Sequence, residues 1–423
     1  MNILWITNIP FPASSRLLGR QVEIGGGWMH ALAIQLINTN KVRLAVATSY
    51  LGDKMQTHYD DKISYYILPR KRDLTKYDRS LETYWIKVVE EFNPDVIHIH
   101  GTEYTHGLAC MMACPTRNYV ISIQGMVSVY SEYHFAGISP IELLRFSTLN
   151  DLKRMDTVLH RRSEMVQRGK FEIEYIKRSK HIIGRTSWDY AHTKTINPTS
   201  HYHFCNEVLR ESFYNSNKWN FDEKISHRIF MSQANSQRQG LHQVLKALSI
   251  VKEFFPDIKL RVAGLDISGG SKWVHRISSY GHYIRSLIQS LNLREHVLFL
   301  GGLNEEKMVE EFKNAHIFIC ASVIENSPNS LGEAQILGTP CIASFVGGVP
   351  DMVVDRETGL LYRFEEYKML AYKIIEIFNN DNLARNLSTM GQIAAANRHN
   401  RGDIVARMQE IYSSIVEEKG TNH

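Results

Sequence analysis

The chain has 423 residues, 43% of them hydrophobic and 22% charged, which is enough for two full cores in an ordinary globular protein. A net charge of +5 is too weak to argue for nucleic acid, and five cysteines without a CxxC pair or a His/Cys ligand set read as reduced, mostly buried thiols in a cytoplasmic protein. The opening MNILWITNIPFP runs straight into a strand with no basic n-region, so no signal peptide is expected, and no apolar run approaches the ~18 residues that would span a bilayer.

In chain order, short β-rich runs predict strands near 2–7, 42–48, 63–68, 95–100, 119–124, 181–185 and 201–205, then near 228–233, 259–264, 297–301, 317–322, 340–344 and 359–364. Helical patterns such as GLHQVLKALSIVKEFF lie between them. Strands alternating with helices imply α/β architecture with parallel sheets covered on both faces. Two such series predict two Rossmann-like, doubly wound domains, 1–215 and 216–394, with the polar stretch 215–227 at their boundary. Residues 381–418 read as helices without a strand, and the last of them, about 395–423, is expected to cap the second domain or cross back to the first.

The first candidate site is the glycine run Gly25, Gly26 and Gly27 on the opening βα turn. Glycines let backbone approach a charged group, and a helix N-terminus favours an anion; the alternative is a flexible loop with tight helix packing. His98 and His100 then fall on one face at a strand end, as ligand contacts or as core histidines. Gln124 ends the next strand, where it suits a sugar hydroxyl or simply a turn. Residues 161–180 carry seven Lys/Arg against three Glu, a solvated helix face or a contact with anionic lipid headgroups. Arg185 stands at a further strand end, placed for phosphate or for Asp189.

The most informative segment is IENSPNSLGEAQILGTP. A strand should end near Ser322 and a helix begin just after Ser327, with Ser327 as cap and Pro328 at the first helical position. Its N-terminal amides suit a phosphate. Glu333, further along the helix, can accept from a pair of hydroxyls, and Glu325 in the loop can do so for a second ring. A diphosphate between two polyhydroxylated rings is a nucleotide sugar.

Together these residues resemble family 4 of the retaining glycosyltransferases, of the GT-B fold, in which two Rossmann-like domains face across a cleft. Glu325-x7-Glu333 carries the resemblance most strongly, supported by the glycine loop at 25–27, IHIHG, GGLNEEKM at 301–308 and GGVPDMVVDRETGLLY at 347–362. The wording SPNSLGEA and GRTSWD is similar to capsule and exopolysaccharide enzymes. The resemblance implies that Glu333 holds the donor ribose and that Glu325 lies beside the donor sugar, in a catalytic centre shared with His100 and Gln124. It implies the amides from Asn326 to Ser330 (Asn326, Ser327, Asn329 and Ser330 among them) at the sugar and diphosphate, Gly26 and Gly27 at the phosphates, and Gly302 and Leu303 near the base. The implied reaction moves a sugar from a nucleotide-sugar donor to an acceptor hydroxyl with retention, without a metal or other cofactor. The expected acceptor is a glycan or lipid-linked sugar, met at the inner face of the cell membrane through 161–180, with no nucleic acid partner.

Three positions depart from the family. Its usual Arg and Lys on the first loop of the second domain are Ala234 and Gln239 here, and its frequent active-site His is Gln124. The expected substitute cation is Arg238 first and Arg185 second. The departures keep two rival readings open, a nucleotide-sugar epimerase on the same fold and a non-catalytic transferase-like binder.

Overall fold

A computed structural model describes residues 1–19, 27–60, 62–147, 151, 153, 156–269 and 278–420. The chain divides into two compact units. The first comprises residues 1–129, 164–208 and 399–423, and the second residues 130–163 and 209–398. The division falls a few residues before 215, and the excursion 130–163, which carries no strand among its described residues, belongs with the second unit.

The first unit is built on eight strands: β1 (Asn2–Thr7), β2 (Arg43–Leu51), β3 (Gln56–Asp60), β4 (Ile63–Arg70), β5 (Val96–His100), β6 (Tyr119–Ser122), β7 (His181–Gly184) and β8 (His201–Phe204). Their order is β3-β4-β2-β1-β5-β6-β7-β8, parallel throughout except for the β3–β4 pair. Successive side chains alternate faces, so Ile3 and Trp5 enter one core while Leu4 and Ile6 enter the other. The last helix, Arg401–Gly420, closes the first of these cores with Ile404, Met408, Ile411, Tyr412 and Ile415. Tyr412 accepts a hydrogen bond from Trp5 Nε1 at 2.9 Å and pairs with His98 Nδ1 at 2.7 Å.

The second unit carries β9 (Arg228–Met231), β10 (Lys259–Val262), β11 (Val297–Phe299), β12 (Ile317–Cys320), β13 (Cys341–Ser344) and β14 (Leu360–Tyr362). All pairings are parallel, in the order β11-β10-β9-β12-β13-β14. This is the doubly wound Rossmann order, whose direction reverses between β9 and β12. Phe230 and Phe318 pack on one face of the sheet, and Ile229, Met231, Ile317 and Ile319 on the other. The excursion adds Ile138, Leu143 and Val158 to the latter core. Crossover helices cover both faces, and the loops leaving the carboxyl ends of β9 and β12 meet at the reversal, the place where such sheets bind ligands.

Candidate functional site

Both loops at the β9/β12 reversal are tightly built. After β9 the chain runs through Ala234 into a short 3-10 turn, Gln237–Gln239, closed by a capping box in which Gln239 Oε1 accepts the Ser236 N–H at 3.0 Å. Gly240 follows at φ +74°, and a Cβ there would overlap the carbonyl oxygen of Ala321 and meet the Phe364 ring. The β9 and β12 loops therefore touch backbone to backbone, and Val323 N–H donates to the Arg238 carbonyl at 2.8 Å. The half-buried Arg238 side chain lies with its guanidinium 5.4 Å from the Tyr130 ring centroid.

The β12 loop carries Glu325. Ser322 Oγ donates to its carboxylate at 2.8 Å, and the Glu325 carbonyl accepts the Gly348 N–H at 3.0 Å. Gly347, at φ +51°, backs directly onto that carbonyl, so the loop is fixed from behind. Burial pushes the Glu325 carboxyl up, opposed by the Ser322 hydroxyl and the positive charge of Arg238. Asn326 is buried, whereas Ser327, Asn329 and Ser330 are half-buried. The helix spans Asn329–Leu337 with Pro328 at the cap position and no side-chain cap. The expected Ser327 cap is thus one residue out of register. Ser327 Oγ lies 3.5 Å from Met352 Sδ instead, and in the first turn the Leu331 N–H turns back to the Pro328 carbonyl at 2.9 Å.

Glu333 stands one turn further in, only 4% exposed. It does not face hydrocarbon. Arg210 Nε and Nη2 donate to its two oxygens at 2.7 and 2.8 Å, and the same guanidinium lies 4.6 Å from the Phe213 ring centroid. Burial pushes the Glu333 carboxyl up, with Arg210 opposing that push. Gly302 and Leu303 leave β11 at the same carboxyl edge of the sheet. Gly302 is exposed with open space where a side chain would project, and Leu303 is half-buried against the core.

In the first unit, the expected residues separate into structural and open ones. His98 is a core residue, bonded through both ring nitrogens to Tyr412 and Ser122, and burial pushes its pKa down to about 3. His100 stacks on it at 3.8 Å between ring centroids, is 2% exposed, and has no hydrogen-bond partner for either nitrogen among the described residues. Burial and the adjacent His98 and Arg185 hold it well below the usual histidine range, so it is neutral at physiological pH. Gln124 lies two residues past β6 and is half-buried. Gly27 opens the helix Gly27–Asn38, while Gly25 and Gly26 lie outside the described residues.

Arg185 corrects the second choice of phosphate cation. It is 4% exposed, paired with buried Glu207, and donates to the Ile123 carbonyl at 2.7 Å. Its charge is committed inside the first unit. The run 161–180 is likewise largely committed. Arg161, Arg178 and Lys180 pair with Asp156, Glu174 and Glu418. Arg162 and Arg168 donate to the carbonyls of Ser131 and Glu103. Among the described residues, Lys170 and Lys177 keep exposed ammonium groups with no such partner. No described helix is long and apolar enough to cross a membrane.

Two residues had no signal in the sequence. Arg210 sits in a featureless linker 123 positions before its partner Glu333. Glu103 follows β5 and accepts from Asn8 Nδ2, after β1, at 3.0 Å, bridging the loops where the first sheet reverses direction.

The fold and these two reversals define the GT-B architecture. The family model described as "Glycosyl transferases group 1" matches residues 214–393. Over 161 residues the chain is 30% identical to a D-inositol 3-phosphate glycosyltransferase of Corynebacterium diphtheriae, covering 38% of this chain and 36% of that protein. Over 180 residues it is 22% identical to the capsular polysaccharide biosynthesis glycosyltransferase CapM of Staphylococcus aureus, covering 43% of this chain and 44% of CapM. The chain thus spans well under half the length of these curated relatives. The crystal structure of Anabaena Alr3699/HepE in complex with UDP and glucose shares the fold over 98% of this chain and all of that one, with a TM-score of 0.67 at 14% identity. The chain resembles group 1 glycosyltransferases of GT-B fold, the capsular polysaccharide enzyme CapM among them.

Proposed function

We propose that this protein is a retaining glycosyltransferase that moves a sugar from a nucleotide-sugar donor to an acceptor hydroxyl, on a glycan or lipid-linked sugar of a cell-surface polysaccharide. The observation that carries the reading is the β9/β12 reversal, where Arg238, Glu325, an uncapped helix start and Glu333 share one edge of one sheet. Glu333 takes the ribose hydroxyls, the amides from Asn326 to Ser330 and the Arg238 guanidinium take the diphosphate, and Glu325 takes the sugar. Gly302 and Leu303 border the base. Hydrogen bonds to the leaving diphosphate strengthen as its charge develops, which is where they lower the barrier. The departing phosphate deprotonates the incoming hydroxyl on the same face, so neither a protein nucleophile nor a metal is required. Within the first unit, neutral His100, Gln124 and the start of the helix at Gly27 are the candidates for acceptor and phosphate contacts. A relative named for capsular polysaccharide biosynthesis and a structural neighbour that holds UDP and glucose support the substrate classes.

The test is a screen of nucleotide sugars for nucleoside diphosphate release, with membrane extract as acceptor source. Release that requires acceptor and falls at least a hundredfold in Glu325→Gln is expected. Isomerisation of a donor without acceptor would replace the reading with an epimerase, and donor binding with no turnover would make the protein a binder. Contact with anionic membrane at the cytoplasmic face rests on Lys170 and Lys177. Co-sedimentation with phosphatidylglycerol vesicles that is lost in the double Lys→Ala variant is the expected result.

A further inference from the structure

Glu333 needs more than its position to grip a ribose. A buried carboxyl pays a large desolvation penalty when ionised, and a neutral acid has one fewer strong acceptor for two neighbouring hydroxyls. The structure supplies a remedy outside every motif. Arg210, at the start of the short helix Glu211–Asn215, meets both Glu333 oxygens at 2.7 and 2.8 Å. This fork-on-carboxylate geometry fixes the plane of the carboxylate as well as its charge. Arg210 is itself held, 12% exposed and stacked over Phe213, a fully buried residue.

We propose that Arg210 is a positioning residue that keeps Glu333 ionised and aimed at the donor ribose, so that it sets the preference for ribose over deoxyribose. The inference rests on the donor-site reading above. The two carboxylate lone pairs facing Arg210 are occupied, and each oxygen retains one for a ribose hydroxyl. Of the charged groups on the elements packed around the helix Asn329–Leu337, Arg210 and Glu305 act on Glu333, one favouring its ionised form and one opposing it. Arg398, at the end of the neighbouring helix Asp381–Arg398, turns to Gln335. Removal of Arg210 therefore leaves a buried acid facing Glu305 alone, with burial and that neighbouring charge both favouring its neutral form.

The experiment is calorimetric titration of the full chain with UDP, GDP and ADP and their 2′-deoxy counterparts at pH 7 and pH 9. A hydroxyl bonded to a carboxylate predicts about a 10- to 100-fold preference for the ribose form in wild type at both pH values. Arg210→Gln should reduce that preference at least tenfold at pH 7, and less at pH 9 than at pH 7. Glu333→Gln should lose it at both, and the double variant should lose no more than Glu333→Gln alone. A purely structural role for Arg210 would lower overall affinity without moving the ribose ratio. Arg210→Gln retaining the full ratio at pH 7, or binding nucleotide more tightly than wild type, overturns the inference. Should that variant fail to fold, Arg210→Lys carries the test. Its ammonium keeps the charge but not the fork, so the ratio should fall equally at both pH values, and an unchanged ratio overturns the inference. Wild type that binds none of the nucleotides overturns the donor-site reading itself.

Discussion

Gly240→Ala tests whether the contact between the β9 and β12 loops holds the site together. At φ +74° an L-residue costs roughly 1–2 kcal/mol. The new Cβ would also overlap the Ala321 carbonyl oxygen, a backbone atom that no rotamer change can move aside. Overpacking of this kind adds about 1–3 kcal/mol. The expected total is about 2–5 kcal/mol of stability, read by urea unfolding of the full chain. The displaced element is the loop that carries Glu325, tied to Arg238 through Val323 N–H. A shift of order 1 Å in such a group costs about a hundredfold in rate, so turnover should fall further than stability alone explains. Gly302→Ala is the control, because nothing lies within 4 Å of its Cβ position. It should leave the unfolding midpoint unchanged. Gly240→Ala losing less than about 1 kcal/mol with normal turnover would refute the argument that this contact sets the geometry of the site.

Two predictions concern the first unit. Arg185→Ala strands Glu207 as a buried, unpaired carboxylate and should cost about 3–5 kcal/mol in urea unfolding, while nucleotide affinity per folded molecule stays unchanged. A selective loss of affinity with normal stability would return Arg185 to the phosphates. Glu172 lies fully buried and accepts from Thr102 Oγ1, from Val127 N–H, and from the Ser128 N–H and hydroxyl. Burial, opposed by the Ser128 and Val127 bonds and reinforced by Glu103, pushes its carboxyl up to about 7 from an ordinary 4.5. The folded state then holds a proton that the unfolded state releases, so stability declines as pH rises through that window, by about 3 kcal/mol in all. Glu172→Gln should abolish this part of the pH dependence, and an unchanged slope between pH 4.5 and 7 would assign it elsewhere.

What the sequence revealed follows from which interactions are local. β1 occupies residues 2–7 as the apolar run NILWIT predicts, and β12 and β13 fall where IFICAS and PCIASF place them, because buried parallel strands are short, continuous and apolar. β3 was missed for the converse reason. QTHYD is a polar edge strand with three exposed residues and no alternation to detect. The helix begins one residue later than a Ser327 cap would place it, since Pro328 fits both the cap and the first position. The charge of Arg185 was visible at its strand end, but Glu207, which neutralises it, comes from a loop 22 residues later. Arg210 lies beyond any local rule, because its role exists only through a partner 123 residues away. The excursion 130–163 joins the second unit through contacts such as Gln237 Nε2 to the His134 carbonyl at 2.8 Å and His242 Nε2 to the Ala136 carbonyl at 3.0 Å, neither of which leaves a periodic trace.

The missing family cations can be restored at one position and not at the other, and the contrast tests where the diphosphate sits. Ala234 is 2% exposed inside the core of the second unit, so an arginine there would have to bury its charge among apolar side chains. Gln239 is half-buried, and its amide oxygen caps the Ser236 N–H. Gln239→Lys gives up that cap, at about 1 kcal/mol, and places an ammonium on the turn beside Arg238. A charge-assisted bond to phosphate is worth about 1.5–3 kcal/mol, or roughly 10- to 100-fold in affinity. If Arg238 already serves the same phosphates, the two cations are not additive. Gln239→Lys should then tighten UDP binding more in the Arg238→Ala background than in wild type, and Arg238→Ala alone should weaken it at least tenfold. Were Arg238→Ala silent and Gln239→Lys without effect in either background, the diphosphate could not rest on the β9 turn, and the helix start at Asn329 would have to bind it unaided by any cation there.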